Sequence, residues 1–145
     1  MKEIRTEIDI RASTDRVWEV LTDLESYPEW NPFITRASGD LREGGRLRVR
    51  IEPPGRKPMH FRPVVQRLEE GRTLSWRGRF LLPGLATGEH TFELEPGPDG
   101  VRLVHRERFF GVLVLLTWKG MEPAVRTGFT GMNQELKARA ESGAA

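Results

Sequence analysis

The 145-residue chain has no cysteine, which excludes disulfides, thiolate metal ligands and a cysteine nucleophile. Long hydrophobic runs are missing too. The longest apolar stretch, Phe109 to Trp118, falls well short of the roughly 20 residues that a membrane-spanning helix needs. Stable membrane insertion is therefore not expected. The opening residues Met1-Lys2-Glu3-Ile4-Arg5 carry no apolar segment of the kind a secretory signal uses, so a cytoplasmic protein is expected. An excess of one charge is absent as well: 23 Lys and Arg face 21 Asp and Glu, a formal net charge of +2. That balance argues against a nucleic-acid partner. No glycine-rich phosphate loop leads into a helix, since Glu43-Gly44-Gly45 is a turn between strands. None of Ser13, Ser38, Ser75 or Ser142 sits in a nucleophile elbow.

What remains is an ordinary globular composition, 37% hydrophobic and 30% charged. A chain of this length buries about two-thirds of its unfolded surface as one domain, here spanning residues 1–145. Glu3 to Arg11 alternates Ile4, Ile8 and Ile10 with charged residues and reads as a strand. Ser13 or Thr14 caps a helix carrying Val17, Trp18, Val20, Leu21 and Leu24 at helical spacing. From Phe33 the signals are β. Leu47, Val49 and Ile51 alternate with Arg46, Arg48 and Arg50, and Pro53-Pro54-Gly55 breaks the chain. Met59 to Leu68 reads as one strand marked by Pro63 as irregular or at an edge. Leu74 to Phe80, His90 to Leu94 and Val101 to Phe109 follow, the last two joined by the loop Pro96 to Gly100. Past Gly120 the pattern becomes helical. Pro123 suits the first turn, and Met121, Val125, Phe129, Met132, Leu136 and Ala140 form an apolar stripe.

The segment Tyr27-Pro28-Glu29-Trp30-Asn31-Pro32-Phe33 places large aromatics on a corner stiffened by two prolines. Such aromatics either plug the end of a core or frame the mouth of a cavity. Together with the helix Ala12 to Asp23 and the closing Gly128 to Arg139, this pattern resembles the START-like, helix-grip superfamily. That superfamily includes polyketide cyclase/dehydratase-like and Bet v 1-like proteins. The resemblance implies an α+β fold in which a curved antiparallel sheet of six to seven strands grips the long C-terminal helix. It implies two short helices after the first strand and a cavity between sheet and helix.

The chemistry-bearing residues converge on one hairpin. If Leu94 opposes Val101, then Phe92 opposes Leu103 and His90 opposes His105, with Glu107 one step along on the same inward face. Two histidines and a carboxylate suit proton transfer or a divalent metal; equally, they can hydrogen-bond one another and set the polarity of a pocket. Trp76 and Phe80 share the inward face, with Gly78 between them leaving room or marking a bulge. Phe109 to Trp118 lacks either periodicity and reads as a lip over the entrance or as buried packing. On the outer face Arg77, Arg79, Arg102, Arg106 and Arg108 flank Glu89, Glu93 and Glu95, a cross-strand alternation of sign.

The expected function is binding of a small hydrophobic molecule, with no cofactor and no metal, by a monomer or homodimer. The expected lining is His90, Phe92, His105, Glu107, Trp76, Phe80, Phe109, Val125, Phe129 and Met132, with Trp30 and Phe33 at the rim. The resemblance leaves two alternatives: a cyclase or dehydratase using His90, His105 or Glu107, and a protein-interaction role like that of the C-terminal domain of Hsp90 ATPase activators.

Overall fold

The structure, a computed structural model, describes residues 1–79 and 85–143. Its order is β1 (Lys2–Ile10), α1 (Thr14–Thr22), a 3-10 turn (Leu24–Ser26), α2 (Tyr27–Trp30), then β2 (Ile34–Gly39), β3 (Leu47–Ile51) and β4 (Met59–Phe61). There follow β5 (Val64–Glu69), β6 (Thr73–Arg79), β7 (Thr87–Gly97), β8 (Gly100–Phe110) and α3 (Val112–Glu141). All strand pairs are antiparallel, in a five-stranded sheet β1-β8-β7-β6-β5 and a three-stranded sheet β2-β3-β4. This is the expected α+β arrangement around a long C-terminal helix.

Eight strands replace the expected six to seven because Pro63 divides Met59–Leu68. Proline has no N–H for a ladder, so β4 stays with the small sheet while β5 crosses to β6. An isolated bridge between Arg46 and Val64 links the two sheets. Ser13 caps α1 by accepting from the Arg16 backbone N–H at 3.1 Å. Tyr27, fully buried, donates its hydroxyl to the Leu21 carbonyl at 2.6 Å and fastens α2 against α1. Burial pushes that hydroxyl far above its ordinary pKa, so it remains a donor.

Helix α3 begins at Val112, eight residues before the expected start at Gly120, and Pro123 lies inside it rather than in its first turn. Gly111 makes this early start possible. Its φ of 114° is a conformation L side chains rarely adopt, and a Cβ there would lie 2.2 Å from the Leu85 carbonyl oxygen. The apolar segment before Gly120 escaped periodicity because it is apolar on both faces. Val114 is buried, whereas Val112, Leu115 and Leu116 are exposed. Beyond it, Val125, Phe129, Met132, Leu136 and Ala140 are buried against the sheet. Gly128 lets the helix approach the corner at Phe33: a Cβ there would fall 2.3 Å from that ring.

On the outer face the alternation of sign is realised. Arg77 meets Glu89 at 3.6 Å, Arg106 meets Glu93 at 2.5 Å, Arg102 meets Asp9 at 3.0 Å and Arg108 meets Glu3 at 3.2 Å.

Candidate functional site

The register of β6, β7, β8 and β1 sets inward residues in rows across the large sheet. One row runs Trp76, His90, Glu107, Ile4; the next runs Leu74, Phe92, His105, Thr6; a third places Gly78, Gly88 and Phe109 side by side. The hairpin register thus differs by two residues from the expected one: Leu94 faces Leu103, Phe92 faces His105, and His90 faces Glu107. The cause is the tight turn. Pro96 and Gly97 continue β7 and only Pro98-Asp99 turn. Because the slip is even, every side chain keeps its face, and both histidines still point inward with Phe92 and Leu103.

His90 and His105 therefore meet diagonally, Nε2 to Nε2 at 2.7 Å. His105 Nδ1 lies 2.8 Å from Asn133 Oδ1 on α3, Asn133 Nδ2 donates to Thr6 Oγ1 at 2.8 Å, and Thr6 donates to the His105 carbonyl at 2.9 Å. This closed circuit fixes the donors. Thr6 spends its proton on a carbonyl and accepts from the Asn133 amide, so Asn133 Oδ1 accepts from His105 Nδ1–H. His105 Nε2 is then an acceptor and His90 Nε2–H its donor. Burial, and the neighbouring His90, hold the His105 pKa well below the ordinary histidine value, while Asn133 pulls weakly the other way. His105 is neutral.

His90 Nδ1 faces Glu107 Oε1 at 3.3 Å. Glu107 therefore stands beside the imidazole at the cavity wall, where both side chains are reachable by a ligand. His105 stacks on Phe129, centroids 4.0 Å apart and planes within 6°, and Phe129 meets Phe33 edge-on at 5.5 Å.

In front of the His90–Glu107 row lies a cavity between the large sheet, the small sheet and α3. Its walls include Phe33, Trp76, His90, Glu107, Phe109 and Val125 from the expected set. With about 520 Å³ of atom-free space when the solvent-open mouth is counted, the cavity itself has a volume of about 40 Å³. That is room for about three waters, in a narrow slot. Gly78 keeps it open, since the nearest atom to a Cβ built there is Pro63 Cβ at 3.7 Å.

The remaining expected residues lie elsewhere. Phe92, His105, Phe129 and Met132 are wholly buried one layer behind the wall and pack as core. Trp30 is not at the rim: it packs edge-on against Tyr27 at 5.1 Å and borders an outer groove with Arg16 and Arg139. The corner turns after Trp30, where Asn31 Oδ1 accepts from the Phe33 and Ile34 N–H groups at 3.0 and 2.9 Å, and so only Phe33 points inward. Phe80 lies outside the described residues.

Sequence reasoning missed the small sheet's share of the wall: Val49, Ile51, Met59 and Phe61, with Met121 from α3. Their alternation was readable, but not the folding of that sheet over the slot. Asn133 and Thr6 were missed as well. A polar residue four places from Phe129 on a buried helical stripe was the available signal.

Among the described residues no group of three or more His, Cys, Asp or Glu side chains is arranged to hold a metal ion, and no helix is long and apolar enough to cross a membrane.

Known proteins agree with this architecture. The chain matches no curated protein in sequence. Among solved structures it resembles the Zhui aromatase/cyclase of a Streptomyces species, with a TM-score of 0.80 and 16% identity over 99% of each chain. A protein from Thermus thermophilus gives 0.79 at 18% identity over 99% of this chain and 100% of that one. The di-domain aromatase/cyclase StfQ of the steffimycin biosynthetic pathway gives 0.77 at 17% identity; 97% of this chain aligns, spanning 50% of that protein. At these identities the likeness is one of fold. The sequence model of the polyketide cyclase/dehydrase and lipid transport family, however, matches residues 1–141, and the chain belongs to that family.

Proposed function

We propose that the chain binds a small, largely apolar molecule with one polar group in the slot between the two sheets and α3. The observation that carries this reading is the composition of the wall. Aromatic and aliphatic side chains surround a single polar row, His90 and Glu107, at an otherwise apolar surface. Apolar walls supply affinity, and the few polar groups fix orientation. The Glu107 carboxyl and the His90 ring offer hydrogen-bond partners to a polar group of the ligand, whereas an anionic ligand group would meet a carboxylate.

A slot of this width takes a molecule only if its walls yield. Met59 and Met121 line it, and unbranched thioether side chains repack more readily than β-branched or aromatic ones. Native mass spectrometry of protein purified without organic solvent should reveal a bound small molecule, displaced by a hydrophobic dye. Ligand-free protein that also fails to bind the dye would remove the proposal.

A cyclase-type reaction is the second reading. Two of the similar structures are named aromatase/cyclases, and His90 and Glu107, side chains of the types that carry protons in general acid–base catalysis, both line the cavity.

A further inference from the structure

The outward face of the three-stranded sheet is rich in arginine. Arg36 and Ser38 of β2, Arg48 and Arg50 of β3, His60 of β4 and Arg62 just after it surround one concavity of about 410 Å³, with Val49 and Phe61 completing its lining. Register makes the crowding direct: Arg36 stands opposite Arg50. Like charges directly opposed across a ladder destabilise a sheet. On the large sheet the same problem is met with interleaved carboxylates, which face Arg77, Arg102, Arg106 and Arg108.

Here it is left uncompensated. Among the described residues Arg36, Arg48 and Arg62 have no carboxylate within ion-pairing distance, and Arg50 has only Glu52 at 3.5 Å. The Arg50 Nε is buried without a hydrogen-bond partner. Around it, guanidinium groups with no facing carboxylate raise the local attraction for anions.

We infer that this face binds an anion carrying two or more phosphoryl groups. Four of the eight lining residues are arginine and none is lysine, and the guanidinium fork pairs two N–H groups with two phosphate oxygens. On one face, arginines two residues apart stand about 6.8 Å apart along a strand and about 5 Å apart across strands, a grid that several linked phosphoryl groups can span. A nucleic acid fits less well. The outer face of the large sheet is neutralised by its own carboxylates, so no extended phosphate track continues from this one.

Isothermal titration calorimetry with tripolyphosphate, pyrophosphate and orthophosphate at 150 mM salt tests the assignment. Affinity should fall in that order. Arg36→Gln and Arg48→Gln should each weaken tripolyphosphate at least fivefold, whereas Arg102→Gln on the paired face should not change it. Vesicles of phosphatidylcholine with and without phosphatidylinositol bisphosphate identify the source. Binding only to the phosphoinositide vesicles, competed by tripolyphosphate, assigns a lipid headgroup; tripolyphosphate binding without vesicle binding assigns a free oligophosphate. Thermal melts add a second reading. Without phosphate, Arg36→Gln and Arg48→Gln should melt at or above the wild-type temperature, because repulsion is relieved. A lowered Tm in both would mark a structural role and overturn the inference. So would tripolyphosphate affinity unchanged by both substitutions, absence of any tripolyphosphate binding, or binding confined to duplex DNA or to an acidic protein.

Discussion

The imidazoles of His90 and His105 meet edge to edge, Nε2 to Nε2 at 2.7 Å, with both rings buried. Only one of the two can donate, and Asn133 decides which. By accepting from His105 Nδ1 it fixes the tautomer of His105, and through it the orientation of the polar row that reaches the cavity.

Asn133→Ala should therefore cost more than one hydrogen bond. It leaves His105 Nδ1–H without an acceptor in a region closed to water. A loss of about 1–3 kcal/mol is expected for a stranded buried donor, read from urea denaturation at neutral pH.

The low pKa of His105 gives stability a definite pH dependence. Unfolded, this histidine titrates near about 6.5; folded, it resists protonation because burial and His90 disfavour the charge. Below that pH the unfolded chain binds a proton that the folded chain does not. Its contribution is complete above about pH 6.5 and declines as the pH falls toward the folded value, by up to about 1.4 kcal/mol per pH unit. Denaturation midpoints followed from pH 7.5 to 5 should show this slope in wild type and a shallower one in His105→Gln. Parallel slopes would mean that His105 does not set it.

Phe129 and Val125 lie on the same helix one turn apart, yet only Val125 lines the cavity. Phe129 is fully buried between His105 and Phe33. Phe129→Ala should cost about 3–5 kcal/mol, the range for a packed aromatic. Val125→Ala removes less buried volume and borders space already empty, so its loss should stay below about 2 kcal/mol. Equal losses on chemical denaturation would contradict the two placements.

The contrast between these residues marks how far the sequence could be read. Helix, hairpin and the inward set of β7 and β8 follow from local periods of 3.6 and 2, and those periods are a property of neighbours in the chain. Whether Phe129 or Val125 faces a void depends on where α3 settles between two sheets, and that depends on Gly128 against Phe33 and on Pro63 splitting a strand. The hairpin register failed for the same kind of reason. Pairing was inferred from matched hydrophobics, and Leu94 can face either Val101 or Leu103 without violating the pattern; the turn chose. Trp30 was misplaced because a corner rich in aromatics does not show which of them turns inward until Asn31 caps it.

Gly78 offers a way to close the slot without disturbing the core. A Cβ there has ordinary contact with Pro63 and nothing nearer, so Gly78→Val should fold with stability within about 1 kcal/mol of wild type, helped by the β propensity of valine. Binding of a hydrophobic dye should be lost. Dye binding that persists in the folded variant would locate the ligand outside the slot.

Glu107→Gln separates binding from catalysis. The amide keeps the size of the carboxyl but cannot take up or release a proton. In a binding protein the substitution changes only the polar group offered to the ligand. Ligand affinity then shifts by about 1–3 kcal/mol if Glu107 holds a ligand polar atom. In a cyclase or dehydratase the same substitution removes the proton carrier, and turnover falls by about 10²–10⁴ with affinity nearly unchanged. His90→Gln should follow Glu107→Gln in either case, because the two side chains stand together at the cavity wall. Calorimetry beside turnover of poly-β-carbonyl aromatic precursors, for wild type and both variants, reads the difference. A shift in affinity without turnover in any of the three proteins is the outcome expected. Turnover in wild type that both substitutions abolish, with binding intact, would make this row an active site and the binding reading wrong.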